Sequence, residues 1–327
     1  MNKLAVSSSP HLRSSAKTSR IMLDVIIALL PTAIMGCVIF GWRALLTLSV
    51  CIASAVVAEL LFNVIVKKEQ TINDLSAVVT GLLLGLNVRA DAPVWQCVIG
   101  SVFAIVVVKC LFGGLGCNFA NPAITGRIFM LICFSGTTVA VADGVEKVVG
   151  IGGGASPLFN LDGALDAVSG ATPLVSMAKG EELPSLMDMF LGFHSGAIGE
   201  VCTAAILVGF VYLVVRGVIH FETPLIFVGT VFVLYLIADN SLVGATYQIL
   251  AGGLMIGAVF MATDYVTTPI TRSGKMIFAF GAGVITFLIR YFGSYPEGVS
   301  FAILIMNIVS PYIERWTRKI PLGGKKA

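Results

Sequence analysis

Apolar runs dominate this chain and recur with the spacing of membrane spans. They cover approximately residues 21–41, 43–66, 72–88, 93–112, 119–135, 197–216, 223–239, 243–262, 275–293 and 297–315. Most approach the roughly 20 residues that a helix needs to cross a bilayer. The pattern predicts an all-α polytopic membrane protein with ten transmembrane helices. One long polar insertion, residues 136–196, leaves five spans on either side. The expected divisions are a tail over 1–20, a first five-helix repeat over 21–135, the central loop over 136–196, a second five-helix repeat over 197–315, and a tail over 316–327.

The two halves share a faint internal likeness. Gly81-Leu-Leu-Leu-Gly85 in the third span resembles Gly252-Gly-Leu-Met-Ile-Gly257 in the eighth. Each of these short spans is followed by a polar turn, a longer span and a Gly-rich turn. An odd number of spans per repeat inverts one half relative to the other. Short, Gly-interrupted segments at matching places in inverted halves point to a midplane site between them.

Composition removes the soluble alternatives. The chain is 57% hydrophobic and 12% charged, against roughly 25% charged in soluble domains. The net charge of +3 reflects topology and suggests no nucleic-acid partner. With the N-terminus in the cytoplasm, the inner segments hold fifteen Lys and Arg, among them Lys67, Lys68, Lys109, Arg216 and Arg272. The outer segments hold five: Arg43, Arg89, Lys147, Lys179 and Arg290. This positive-inside bias puts both termini in the cytoplasm and the central loop outside. The basic stretch 1–20 runs into an apolar span without a small-residue cleavage pattern, which predicts a retained first helix.

The seven cysteines form no CxxC pair and read as small buried hydrophobes. His11, His194 and His220 lie far apart in polar segments and make no metal site. Charges inside spans are costly and mark candidate sites. Asp24 and Glu59 read as such candidates or as helix–helix partners. Arg127 suits a phosphate or an anionic ring edge, or else pairs with Glu59 or Asp24. Asn118 and Asn121, ahead of Pro122, read either as the start of a broken helix whose free amides face a ligand or as a plain helix start capped by Asn121. Asp264-Tyr265-Val-Thr-Thr-Pro269 reads as a solvated turn, or else as the lining of a cofactor edge.

Inside the central loop, Asp166-Ala-Val-Ser169-Gly170-Ala171-Thr172-Pro173 presents a hydroxyl. Gly170 and Ala171 put no bulk beside Thr172, and Pro173 drives Thr172 toward an extended backbone. Asp166 and Ser169 hydrogen-bond local backbone. These residues fit an ordinary surface turn as well as a modification acceptor.

The stretch Asp166-x-x-Ser169-Gly170-Ala171-Thr172 resembles the flavinylation motif of membrane redox subunits. Together with the five-plus-five pattern, Asn121-Pro122-Ala123 before the fifth span and Asp264–Pro269 after the eighth, the whole chain is similar to the RnfD/NqrB family. Its length and short polar N-terminus are closer to the RnfD branch than to NqrB, which belongs to the sodium-pumping NADH:quinone oxidoreductase. The resemblance implies a urea-channel-like fold and FMN joined by a phosphoester to Thr172. It also implies room for a second, non-covalent flavin (riboflavin or FMN) deeper in the bundle. Asp166, Ser169, Gly170 and Ala171 would form the attachment motif, with Arg127, Asn118 and Asn121 as further flavin-binding candidates. The implied activity is electron transfer in ferredoxin:NAD oxidoreduction coupled to Na+ or H+ movement across a bacterial or archaeal cell membrane. The implied partners are the other Rnf subunits (RnfA, RnfB, RnfC, RnfE and RnfG), a flavin transferase for maturation, and lipid. Among the subunits, the outer flavin-bearing RnfG and the NAD-side RnfC matter most. A five-plus-five solute channel and a non-redox scaffold are the competing readings.

Overall fold

The computed structural model describes residues 18–134, 172–179, 183–293 and 297–318. Among these residues every regular element is helical. Helix α1 (Thr18–Phe40) leads into α2 (Trp42–Val66) through Gly41 alone. Gly41 takes φ 69° there, a left-handed value that glycine adopts without a Cβ penalty. A short 3-10 turn (Ile72–Asp74) precedes α3 (Ser76–Leu86). Helix α4 (Val94–Val102) continues as a π-wound stretch, Phe103–Cys110. Helix α5 (Pro122–Cys133) begins on Pro122, and the Asn121 side-chain oxygen accepts from the Ala123 N–H at 3.0 Å.

Two short helices follow, α6 (Pro173–Lys179) and α7 (Leu186–Leu191). The second half then comprises α8 (Thr203–Val215), α9 (Glu222–Asp239), α10 (Leu242–Leu250), α11 (Leu254–Ile256), α12 (Arg272–Phe292) and α13 (Val299–Thr317). The π-wound stretch Gly257–Met261 extends α11. Helix α10 and the extended α11 are bent by 67° across a short break.

Each expected span has a helical counterpart, but the helices differ greatly in length. Four are long and apolar enough to cross a bilayer alone: α1, α2, α9 and α12. The bent pair makes a fifth if counted as one span. Helix α3, α4 with its extension, α5 and α8 are shorter apolar helices. Large apolar side chains such as Ile34, Ile65, Val215 and Phe292 are exposed on outward faces. Apolar side chains on outward faces suit a surround of lipid chains, in which helices also satisfy their own backbone groups.

Helix α1 packs along α8, joining the halves. Within the first half α2 packs on α3 and α4; within the second, α9 packs on α12, and α12 on α13. Glycines allow the closest approaches. A Cβ on Gly81 of α3 would stand 2.7 Å from the Cys51 carbonyl oxygen and 2.8 Å from Ile52 Cα.

One expectation, that the cysteines are buried, needs correction. Cys51, Cys97, Cys110 and Cys202 are buried, but Cys117 and Cys133 are exposed and Cys37 is half-buried. They sit at or beyond helix ends or on an outward face, where apolar sequence does not mean burial. His194 lies in a polar stretch of sequence and is nevertheless buried. Lys109, expected among the cytoplasmic charges, is 2% exposed.

Gly81→Val forces backbone apart at the α2–α3 contact, whereas a Cβ on Gly229 of α9 meets nothing within 4 Å. Overpacking of this kind costs about 1–3 kcal/mol. In thermal unfolding of the detergent-solubilised chain, Gly81→Val lowers the midpoint by clearly more than Gly229→Val does.

Candidate functional site

The charged residues inside the bundle are nearly all accounted for by partners. Asp24 of α1 accepts from the Tyr212 hydroxyl at 3.0 Å and from Arg216 at 3.2 and 3.1 Å. Asp24 is therefore a packing partner, and its pair puts the start of α1 beside the end of α8. Glu59 of α2 accepts from Lys109 Nζ at 2.8 Å and from the Thr71 hydroxyl at 2.7 Å. Lys109 also donates to Ser76 Oγ at 2.6 Å, and Ser76 in turn donates to Asp74. The pair is almost wholly buried. Neither Asp24 nor Glu59 pairs with Arg127.

Cavities lie between the helices, and two of them gather most candidate residues; another, of about 110 Å³, lies beside Arg127 and Glu297. The first, of about 90 Å³, is near the start of α1 and is lined by Thr80, Lys109, Asn118, Asn121, Phe260 and Asp264, among others. Both π-wound stretches contribute, through Lys109 in one half and Phe260 in the other. Single π turns inside helices frequently mark functional sites. The Asn118 side chain donates to the Ala120 carbonyl at 3.1 Å, and its own Oδ1 is buried without a partner among the described residues. The Asp264 turn is not simply solvated. Burial raises its carboxyl above the ordinary aspartate value, against the opposing effect of the Val266 N–H at 3.1 Å and the Thr267 hydroxyl at 3.2 Å.

The second cavity, of about 210 Å³, is lined by Asn87, Arg89, Gln96, Arg127, Thr172, Glu200 and Glu297, among others. Thr172 itself is not helical. Its carbonyl accepts from the N–H groups of Val175 at 2.8 Å and Ser176 at 3.0 Å. Pro173 thus starts a helix, a role its fixed φ and missing N–H suit, and the flanking residues form more than a bare turn. Arg127 donates to Asn87 Oδ1 at 2.6 Å and pairs with Glu297 Oε2. Arg89 pairs with Asp91 at 3.0 Å. Arg290 donates to three main-chain carbonyls: Glu297 at 3.0 Å, Gln248 at 2.6 Å and Ala251 at 3.2 Å.

The fold thus separates candidates that the sequence grouped together. Arg127 shares a cavity with Thr172, while Asn118 and Asn121 line the other one. Asp166, Ser169, Gly170 and Ala171 lie outside the described residues. Glu200, Glu297, Asn87 and Gln96 carried no signal in the sequence. Glu200, Glu297 and Asn87 fall in turns or at a helix end and Gln96 lies in the first turn of α4, and only tertiary packing brings them together.

Residues 5–323 match the family described as NQR2, RnfD, RnfE. The chain belongs to this family. A relative from Acetobacterium woodii, named as the D subunit of a Na(+)-translocating ferredoxin:NAD(+) oxidoreductase complex, is 42% identical over 99% of this chain and 96% of its own length. One from Clostridium ljungdahlii, named as the D subunit of a proton-translocating ferredoxin:NAD(+) oxidoreductase complex, is 38% identical over 99% of this chain and 98% of its own length. One from Stutzerimonas stutzeri, named as the D subunit of an ion-translocating oxidoreductase complex, is 38% identical over 95% of this chain and 93% of its own length. These relatives of the NQR2, RnfD, RnfE family are thus named as parts of ion-translocating oxidoreductases.

Removing one member of the Lys109–Glu59 pair leaves a buried charge without its partner, at a cost of about 3–5 kcal/mol. Lys109→Met accordingly destabilises the chain strongly in detergent unfolding. The double variant Glu59→Leu with Lys109→Met recovers most of the loss, because no charge is then stranded.

Proposed function

We propose that this chain is a D-type electron-transfer subunit of an ion-translocating ferredoxin:NAD oxidoreductase, carrying FMN through a phosphoester on Thr172. The observation that carries this reading is the meeting of Thr172 and Arg127 in one cavity. The Ser169-Gly170-Ala171-Thr172 motif supplies the attachment chemistry. Arg127 and Arg89 supply guanidinium groups suited to a phosphate, which the acidic central loop lacks. The residues fit the group on chemical grounds: an attachable hydroxyl, cations for the phosphodiester, and amides of Asn87 and Gln96 for a polar ring edge. Bound flavin supplies the redox chemistry, and the protein holds, orients and shields it.

A second, non-covalent flavin (riboflavin or FMN) belongs, on the same proposal, to the first cavity. Asn118 Oδ1, buried and without a partner among the described residues, suits a ring N–H. On this proposal the edge of the ring enters the cavity beside Asn118 and the rest of the flavin lies outside it. Ten spans in two inverted five-helix halves, divided by the central loop over 136–196, complete the reading. The bent α10–α11 pair supports it as a broken span at the place corresponding to α3. Both termini are cytoplasmic and Thr172 faces outside, in reach of the outer flavin-bearing RnfG. Electrons pass inward toward the NAD-side RnfC, with RnfA, RnfB and RnfE completing the complex. Relatives named for sodium and for protons stand at similar identity, so overall likeness does not choose the ion.

In a host with a working flavin transferase, the chain gives a fluorescent band in a denaturing gel and a Thr172 peptide heavier by the FMN phosphoester. Thr172→Ala and Thr172→Val are dark, and Thr172→Ser retains at most a little. A dark wild-type band overturns the assignment and favours the solute-channel reading. Separately, Asn118→Leu removes the flavin released on denaturation while leaving the covalent band intact.

A further inference from the structure

Two carboxylates converge beside the break between α10 and α11. Glu200 precedes α8 and is 7% exposed. Its Oε1 accepts from the Ala197 N–H at 3.0 Å, and its Oε2 is buried without a partner among the described residues. Glu297 precedes α13; its Oε2 pairs with Arg127, and its Oε1 is likewise buried without a partner among the described residues. Both free oxygens face Gly253, at the break. A Cβ on Gly253 would stand 2.6 Å from Glu297 Oε1 and 3.7 Å from Glu200 Oε2. The glycine leaves open the space that the two oxygens share.

The charged groups facing Glu200 are Glu297, Arg127 and Arg290. Neither cation donates to the free oxygens. Arg127 bonds Asn87 Oδ1 and Glu297 Oε2, and Arg290 bonds three main-chain carbonyls. Arg89 is engaged with Asp91 nearer the mouth of the cavity. Glu200 Oε2 and Glu297 Oε1 thus lie away from water with no donor, and a buried polar atom left without a partner is costly. A small cation resolves it, and a broken membrane helix with acidic side chains is a recurrent setting for one. Both carboxylates line the cavity that also holds Thr172.

We propose that Glu200 and Glu297 form a two-carboxylate site holding one exchangeable monovalent cation, a proton or a sodium ion. The site goes beyond the flavin assignment and does not depend on it. Arg127 connects the two, since it pairs with Glu297 and lines the cavity of Thr172. Withdrawal of Arg127 from Glu297 would strengthen the pair's hold on its cation. In the proton case Glu200 takes one proton from water in the cavity and returns it there. In the sodium case the ion replaces that proton, and cavity waters complete its coordination.

The test is infrared difference spectroscopy of the intact purified complex, titrated between about pH 5 and pH 9 in potassium salts and then with added sodium chloride. The expected result is a protonated-carboxyl band that grows as pH falls and is lost in Glu200→Gln. That variant keeps the oxygen that accepts from Ala197. Loss of the band on adding sodium at fixed pH identifies a sodium site; indifference to sodium identifies a proton site. Glu297→Gln gives the same loss and serves if Glu200→Gln does not assemble. Absence of any such band, or a band that survives both substitutions, overturns the proposal. Because no flavin signal is read, failure here leaves the Thr172 assignment standing, and the reverse.

Discussion

Burying charge and bare backbone in an apolar surround is the constraint on which this structure depends. The clearest response is Arg290. Its guanidinium binds the carbonyls of Gln248 and Ala251, where α10 ends, and that of Glu297, ahead of α13. A helix cannot stop inside a membrane protein unless its last carbonyls find donors. One side chain therefore licenses the break, and the break makes room for the cavity beside it. Lys109 with Glu59, and Arg216 with Asp24, obey the same rule at the other end of the bundle.

Once the charges are matched, the exceptions become informative. Asn118 Oδ1 stands unpartnered at one cavity, and Glu200 Oε2 and Glu297 Oε1 at the other, among the described residues. Unpartnered buried oxygens are uncommon in well-formed interiors, and these three belong to residues that line cavities, unlike those of Thr32, Glu59, Ser101 and Asn307. Glycines shape the same regions. Gly209 lets α8 approach α1 so closely that a Cβ would stand 2.2 Å from the Ala28 carbonyl oxygen. Gly253 holds open the space between the two carboxylates. Irregular π-wound stretches in each half turn Lys109 and Phe260 toward the first cavity.

The two cavities divide the chemistry. One holds Thr172 with guanidiniums, amides and carboxylates, a mixture suited to an anionic tether and a mobile cation. The other is mostly apolar, with the Asn118 amide and the Asp264 carboxyl at its wall. The proposed electron path and the proposed cation site meet at Arg127, which faces Thr172 in its cavity and grips Glu297.

Much of the architecture was legible in the chain itself. Apolar runs located the helices outside the central loop, because a membrane helix must be apolar along its length whatever its neighbours are, but not the short α6 and α7 within it. Pro122 behind Asn121 marked the start of α5, since capping depends on adjacent residues alone. Run length could not reveal where a span would break or shorten, because the 67° bend at Gly252–Gly253 rests on Arg290, some forty residues away. Nor could it show that Lys109 turns inward to Glu59, or that Arg127 pairs with Glu297 beside the cavity of Thr172 while Asn118 lines the other. Those pairings join residues distant in sequence, and only packing in three dimensions decides which buried charge finds which partner and which is left without one.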